Sequence, residues 1–429
     1  MLSNELISKL VNQNLSLEIT PKLVSAINDT PCPTISNVFS QLTAVQVIGK
    51  EEFNDLLILM AKKDFVLIEC MDGVELVRLN CERIEKLVYK TFLVDFIRQA
   101  HGEMYSIVID YFFINSFASK QQFLNDYLLF IKTFHQEKDL ASTTAQSAFD
   151  QLEQQELLID YTNPKIKIDH GVEALNEYKC LNFKKMVSLI RTSLIMKYCS
   201  SIYPSRIVSL ISVLLSASGL YNRASVVKKT EKLSVETLKR TILTKNPNLL
   251  HELNADKLVE EIGPINHEVV IFDIDSKEIC LDLEYAVNCI KVEILEHFIG
   301  TFFSPNHNRL IRAIILLKLN NLKALEDNVL IKKNELRSIL LDLEELNVIR
   351  KVYLGLNSSE VYYESNISEF AEKVCLKYFK IIENMLQVRD RVIEPRGATL
   401  DDDESYIRTC KLELAVKQIA EKLLILREF

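Results

Sequence analysis

One pattern of hydrophobic and polar positions occurs three times along the chain. Two apolar residues stand three positions apart, and an apolar pair begins five positions after the second of them. A strand-like stretch, turn residues and another strand-like stretch then follow. The three segments are Leu57–Leu79, Phe149–Ile168 and Leu340–Glu364. Each predicts a helix that leads into a short β-hairpin, which is the second half of a winged helix.

Pairs of apolar helices supply the first halves of these units. The pairs and their breaks are Leu87–Ser116 with a break at His101-Gly102, Phe183–Ser218 with a break at Tyr203-Pro204, and Tyr285–Asn321 with a break at Ser304–Asn306. Gly and Pro stand where a helix must end. A further amphipathic helix is predicted at Leu2–Gln13, where the chain opens.

These elements predict a mainly α fold with small β-hairpins. We expect four tandem extended winged-helix domains, followed by a C-terminal antiparallel coiled-coil hairpin. The predicted domain bounds are 1–80, 81–172, 173–280, 281–366 and 367–429. The third domain is the least regular, because its hairpin at Glu268–Glu284 follows a long insert.

The tail carries two helical stretches whose apolar residues are three and four positions apart, as in a coiled coil. The seam of the first is Phe370, Val374, Tyr378, Ile381, Met385, Val388 and Val392. The second begins at the acidic run Asp401–Glu404, and its seam is Leu412, Val416, Ile419, Leu423 and Leu426. We expect the two helices to pair antiparallel. The alternative is that they only cap the fourth winged helix.

The composition limits the kinds of fold and functional site that we expect. With 9 Gly and 9 Pro, the chain favours long helices over a turn-rich β fold. Its nine cysteines form no Cys-x-x-Cys pair, so we expect reduced thiols and neither a disulfide framework nor a zinc site. We find no signal peptide, membrane span, phosphate-binding glycine loop, nucleophile elbow or metal-ligand spacing of histidines. We therefore expect no catalytic residue, no cofactor and no metal.

Charge is distributed unevenly. The net charge is −8, yet Phe183–Lys245 holds twelve basic residues and only two acids, Glu231 and Glu236. A basic stretch on a winged-helix scaffold indicates phosphate contacts, and we expect Ala224–Lys245 to be a mobile loop. The DNA-binding candidates are Lys184, Lys185, Arg191, Arg223, Lys228, Lys229, Lys232, Lys239, Arg240 and Lys245. Docking on an acidic protein, or no role, are the alternatives.

The third helices of the first and fourth units are more acidic. Lys62 and Lys63 share a helix with Glu51, Glu52 and Asp55. In the fourth unit, Lys332, Lys333 and Arg337 are followed by Asp342, Glu344 and Glu345. Carboxylates repel DNA phosphates, so these helices are typical of winged helices that bind proteins.

The tandem pattern resembles the third-largest subunit of eukaryotic RNA polymerase III, the transcription-factor-IIE-alpha-like member of its initiation heterotrimer. Four stretches carry the resemblance: 87–116 with Arg98 and Gly102-Glu103, 181–211, 306–354, and YFKIIENMLQVRDR at 378–391 with Asn384 and Arg389. The stretch 306–354 is the most similar. The chain is shorter than expected for that family, and its first unit departs most from the family pattern.

The resemblance implies a non-catalytic nuclear subunit. It would sit on the clamp of the largest polymerase subunit with two smaller heterotrimer subunits, and would help to bind and open promoter DNA at genes for transfer RNA and other small RNAs. Partner-interface candidates on the first tail helix are Phe370, Val374, Ile381, Asn384, Met385 and Arg389. The expected partners include no membrane and no small-molecule substrate.

Three other classes remain. A scaffold subunit of the proteasome-lid, signalosome or translation-initiation-factor kind would be helical too, but would carry one winged helix after a stack of helical repeats. A stand-alone winged-helix regulator of transcription would bind DNA, although the chain is acidic. An enzyme is the weakest alternative.

Overall fold

The computed structural model describes residues 2–15, 19–30, 33–45, 48–71, 73–134, 142–161, 178–218, 227–245, 269–273, 275–317, 320–353, 361–393 and 402–429. The protein is mainly helical with small antiparallel sheets, which confirms the predicted fold class at that level. It divides into two compact units. One unit holds residues 1–186 and 379–421, and the other holds 187–378 and 422–429.

After an opening helix, α1 (Asn4–Leu15), four repeats follow a common plan. Each has a first helix, a first strand and a second helix, and each ends in a hairpin of two strands. A third helix precedes the hairpin in the first, second and fourth repeats; in the third repeat, residues 246–268 lie outside the described residues. The three strands always pair in one order: the first strand pairs with the third, and the third with the second.

Repeat 1 has the longest hairpin. Its elements are α2 (Thr20–Asp29), α3 (Ile35–Val45), α4 (Lys50–Lys62), β1 (Val66–Met71) and β2 (Val74–Leu79). The first strand is reduced to a single antiparallel bridge between Thr34 and Leu76. Gly73 allows the tight turn between the strands because it adopts φ +78°, which L side chains rarely take. The hairpin predicted after Leu57 is confirmed.

Repeat 2 follows two linking helices, α5 (Cys81–Val88) and α6 (Lys90–His101). Its elements are α7 (Glu103–Asn115), β3 (Phe117–Ser119), α8 (Lys120–Phe134), α9 (Ser142–Gln154), β4 (Leu158–Asp160) and β5 (Tyr178–Leu181). The expected partner stretch, 162–168, lies outside the described residues. The strand that pairs with β4 is β5, so the domain boundary predicted at 172 would divide one sheet. The pairing of β5 with β3 and β4 extends this repeat to Leu181.

Repeat 3 follows the long helix α10 (Phe183–Ile202). Its elements are α11 (Ser205–Ala217), β6 (Leu233–Ser234), α12 (Val235–Lys245), β7 (Val270–Asp273) and β8 (Glu278–Leu281). The late hairpin predicted at Glu268–Glu284 is confirmed. Side chains of α11, α12 and the sheet share one core with the start of the next helix, including Leu210, Leu238, Ile279 and Leu283.

Repeat 4 follows the long helix α13 (Leu283–Phe302). Its elements are α14 (Pro305–Leu317), β9 (Asn320–Asn321), α15 (Leu322–Val329), α16 (Lys333–Glu345), β10 (Ile349–Tyr353) and β11 (Val361–Ser365). The break predicted at Ser304–Asn306 is confirmed, because α13 ends at Phe302 and Pro305 begins α14. The predicted hairpin is confirmed as well.

A short polar residue, Asn or Asp, follows every hairpin. These residues are Asn80, Asn182, Asp282 and Asn366. Each donates its backbone N–H to the carbonyl of the residue just before or at the start of the second strand, at Phe65, Leu157, Val269 or Val348, over 2.8 to 2.9 Å. The side chains of the first three also accept a hydrogen bond from the first turn of the next helix. One residue thus closes a sheet and starts the linking helix.

The third helix ends in the same way in three repeats. Asp64, Glu156 and Asn347 stand at its C-terminus with φ near +58°. The next backbone N–H then bonds back to the carbonyl five residues earlier, as at Phe65 to Met60 over 2.9 Å. This left-handed helix end turns the chain directly into the hairpin. It explains the fixed five-residue spacing of the sequence pattern.

Two long helices close the chain, α17 (Ile367–Ile393) and α18 (Asp402–Glu428). Both contribute residues to each of the two units. Of the seam residues predicted for α17, Phe370, Val374 and Tyr378 are buried, and the buried side chains then continue at a spacing of four, through Ile382 and Leu386. Ile381 is half-buried and Val388 is exposed, and the coiled coil itself stays a prediction.

Candidate nucleic-acid interface

The basic stretch Phe183–Lys245 is mostly regular structure where it is described, apart from short connections such as 227–232. It comprises α10, α11, β6 and α12, while Arg223 and the side chain of Lys245 lie outside the described residues. Lys184 and Lys185 belong to the first unit, and the other described candidates belong to the second.

Residues 228–235 form an ordered edge of the repeat 3 sheet. Thr230 donates its backbone N–H to the Leu281 carbonyl over 3.0 Å, and its hydroxyl accepts the Leu281 N–H over 2.8 Å. Lys229 forms an antiparallel bridge with Asp282. The expectation of a mobile loop over 224–245 was therefore wrong for residues 228–245, because backbone pairing and the packing of α12 fix them.

Three lysines on this edge are paired with carboxylates. Lys228 Nζ lies 2.9 Å from Glu284, Lys229 Nζ lies 3.1 Å from Asp282, and Lys232 Nζ lies 3.7 Å from Glu278. Antiparallel pairing brings the acids across from the lysines although they are about 50 residues away in sequence. These ion pairs partly neutralise the basic segment, so its surface is less positive than its sequence suggests.

Two of the predicted DNA-binding residues are buried. Lys185 is 3% exposed and lies 3.9 Å from Glu156, and Arg191 is 6% exposed and donates from Nη1 to the Val227 carbonyl over 2.8 Å. Burial lowers the pKa of both side chains. Their assignment as DNA contacts is corrected, because a buried cation cannot reach a phosphate without unfolding its surroundings.

A smaller set of cations forms no ion pair with the described carboxylates. Arg240 is exposed and Lys239 half-buried on α12, whose opposite face is anchored by the buried side chains of Leu238 and Ile242. Neither cation forms an ion pair within the described part of the chain. Lys184 is exposed on the first turn of α10. These three are the described DNA-binding candidates that lie at the surface without an ion pair to a described carboxylate, whereas the exposed Lys228, Lys229 and Lys232 are paired.

The partner-interface candidates on α17 fall into two groups. Phe370 and Val374 are buried in the second unit, where the Phe370 ring lies 6.2 Å from the Phe298 ring, so their assignment to a partner interface is corrected. Asn384 is exposed, and Ile381, Met385 and Arg389 are half-buried. Met385 and Arg389 border a cavity of about 80 Å³ between α1, α5, α17 and α18 in the first unit.

Two buried thiols among the described residues have raised pKa values. Burial raises the pKa of the Cys180 thiol to about 11 and that of the Cys199 thiol to about 12. Both thiols are protonated at neutral pH, so neither is an activated nucleophile. Among the described residues, no group of three or more His, Cys, Asp or Glu side chains could hold a metal ion. No helix in the described ranges is long and apolar enough to span a membrane.

Comparison with known proteins gives no assignment: no protein-family model matches the chain, and no curated protein is significantly similar to it.

Proposed function

We propose that the four repeats are winged-helix domains and that the protein is a non-catalytic subunit of DNA-directed RNA polymerase III. It would act in binding and opening promoter DNA when genes for transfer RNA and other small RNAs are transcribed. The observation that supports this most is the common strand order of the four repeats. A helix-turn-helix followed by a hairpin, with the first strand against the third, is the topology of a winged helix.

Tandem repetition favours a subunit over a stand-alone regulator. A regulator needs one basic recognition helix that enters the major groove. The described third helices, α4, α9 and α16, carry acids on their exposed faces instead. Four linked domains offer several docking faces, which suits a chain that bridges protein subunits and DNA. As a member of the polymerase, the protein would reside in the nucleus.

In this proposal, DNA contact is made mainly through repeat 3. Lys239 and Arg240 are the leading contacts of the second unit, and Lys184 is the candidate in the first. Such contacts would position the polymerase on DNA without specifying sequence, because phosphates carry no base identity. The chain's charge of −8 means that the DNA is held jointly with other subunits.

The tail helices are proposed to pair as an antiparallel coiled coil against which the domains and partners pack. Both helices line the same cavity, through Leu386 of α17 and Val416 of α18. Asn384, Ile381, Met385 and Arg389 remain the candidate contacts with the polymerase clamp and the two smaller subunits.

Affinity purification tests the assignment. The tagged full-length chain is recovered from its own cells at physiological salt, and the associated proteins are identified by mass spectrometry. We expect the largest subunits of RNA polymerase III and two small partners in stoichiometric amounts. Recovery of a proteasome-lid, signalosome or translation-initiation complex would overturn the proposal, as would recovery of the chain alone on chromatin.

DNA contact is tested in the assembled polymerase by photo-crosslinking to promoter DNA. The variant Lys239→Gln with Arg240→Gln should lower the yield of crosslinks between this chain and DNA. The matched control is Lys332→Gln with Lys333→Gln, which makes the same change in net charge on exposed residues of repeat 4. Equal yields from the two variants would refute a DNA surface on α12.

A further inference from the structure

The outward face of the third helix differs between repeats at equivalent positions. The third helices can be aligned on the left-handed residue that ends each of them. In this alignment, four exposed positions are separated by four, three and four residues. These spacings place the four side chains in one stripe along the helix. The stripes are Glu51, Asp55, Ile58 and Lys62 in α4; Thr143, Ser147, Asp150 and Gln154 in α9; and Asn334, Ser338, Leu341 and Glu345 in α16.

Repeats 1 and 4 expose an aliphatic side chain at the same place. Ile58 is 50% exposed and Leu341 is 56% exposed. The equivalent residue of repeat 2 is Asp150, which pairs with Lys120. A single exposed aliphatic residue is ordinary on a protein surface. Here an aliphatic side chain recurs at one helix position, beside carboxylates that would repel phosphate. This recurrence indicates a protein-binding surface.

The surface of repeat 1 has further apolar anchors. Met71 and Val74 face each other across the tip of the β1–β2 hairpin, and both are exposed. Ile68 of β1 is exposed as well, but it lies on the other face of the hairpin because it is three residues from Met71. The apolar anchors of this surface are therefore Ile58, Met71 and Val74. Solvent-exposed aliphatic groups on two adjacent elements are typical of a protein interface.

We infer that the third helix and hairpin of repeat 1 dock on another protein, at an apolar pocket edged by lysine or arginine side chains. The occupant follows from charge. Glu51, Glu52 and Asp55 are exposed on the same helix as Ile58, and the exposed cations of that helix are Lys50 and Lys62, so its exposed acids outnumber its exposed cations by three to two. A basic rim would be attracted to this face, whereas DNA would be repelled. The inference rests on the proposed function only for the partner's identity, which would be another polymerase subunit.

Site-specific photo-crosslinking tests the inference in the full-length chain in its own cells. Benzoylphenylalanine replaces Ile58 in one strain and Asp150 in a control strain, and adducts are mapped by mass spectrometry. We expect a protein adduct at position 58 with a yield about tenfold above that at position 150, and a partner peptide flanked by basic residues. Unchanged thermal unfolding of the purified variants shows that the fold is intact, as expected for exposed positions.

Neutral variants then test the charge. Glu51→Gln with Asp55→Asn should lower the adduct yield from position 58 on the order of fivefold, because the rim attraction is lost. Glu335→Gln with Glu345→Gln makes the same charge change in repeat 4 and should leave the yield unaltered. Equal yields at 58 and 150, an adduct with DNA, or indifference to both pairs of variants would overturn the inference. A charge-dependent adduct with a protein outside the polymerase would support the docking surface and refute the proposed function.

Discussion

A buried cation stands near the start of the linking helix after each of the first two repeats. Arg83 stands three residues after the capping residue Asn80, and Lys185 stands three residues after Asn182. Each is a buried cation near the acidic residue that ends a third helix, Asp64 or Glu156. Lys185 thus occupies the position equivalent to Arg83. This explains why it is buried and stabilises the fold although its neighbours in the sequence are basic.

Arg83 should be essential for stability. Its guanidinium donates to the carbonyls of Phe112 and Phe113 at the end of α7, and it stacks over the Phe65 ring. Arg83→Met removes these hydrogen bonds and the positive charge that attracts Asp64, so we expect a loss of about 3 kcal/mol in the free energy of unfolding. Urea denaturation followed by circular dichroism measures it. Arg78→Met, which removes an exposed pair with Glu69, should cost less than about 1 kcal/mol.

Asp64 should make stability depend on pH. Burial raises the pKa of its carboxyl above the ordinary 3.8, against the opposing attraction of Arg83. A raised pKa means that this carboxyl favours the fold when protonated, and that the advantage is lost as pH rises through the folded-state pKa. Asp64→Asn keeps a residue that tolerates the left-handed conformation, as Asn347 does in repeat 4.

The Asp64→Asn chain should therefore melt at a higher temperature than the natural chain at pH 7. The gap should narrow as the pH is lowered toward 3.8 and below, where Asp64 becomes neutral too. Thermal unfolding across this range measures the difference. A gap that is independent of pH would show that the carboxylate is not penalised by burial.

Among the elements, local periodicity was enough to predict three hairpins and all the breaks between paired helices. The signal is strong there because a left-handed helix end, as at Asp64, fixes the spacing to the next strand. The partner of β4 was missed because β5 lies 17 residues beyond it, where no local pattern links the two. The unpaired positive charge of the basic segment was overestimated for the same reason. Glu278, Asp282 and Glu284 reach the basic edge only through sheet pairing.

The paired edge of repeat 3 predicts a gain of DNA affinity. In Glu278→Gln with Glu284→Gln, Lys228 and Lys232 lose their carboxylate partners and become available to phosphates. An exposed ion pair is worth roughly 0.2–1 kcal/mol, so DNA affinity of the purified chain should rise by about 1.4- to 5-fold for each pair released. Fluorescence anisotropy with a short duplex at low salt measures it, and the dependence on salt should become steeper.

The control for this gain lies in another repeat. Glu344 pairs with Lys351 and Glu364 pairs with Arg350, both in repeat 4. Glu344→Gln with Glu364→Gln makes the same change in net charge. An increase in affinity equal to that of the repeat 3 variant would mean that overall charge, and not the edge of repeat 3, governs binding.

On the scale of the whole molecule, the tail helices are part of both compact units. Residues 379–421 belong to the first unit, and residues 367–378 and 422–429 belong to the second. In the first unit, Ile382 and Leu386 of α17 are buried; in the second, Leu423 and Leu424 of α18 are buried. The core of each unit therefore includes side chains from the two tail helices. Neither core is complete without them.

A substitution near the end of the chain should consequently weaken the fold far more than one earlier in the same helix. Leu424 is 0% exposed and Leu414 is 54% exposed, and both lie on α18. Leu424→Ala leaves a cavity and should cost about 2–5 kcal/mol, whereas Leu414→Ala should change the free energy of unfolding by less than about 0.5 kcal/mol. Hydrogen exchange read by mass spectrometry should show the loss of protection in residues 187–378. Equal costs for the two leucines would mean that the end of α18 is not part of the second unit's core.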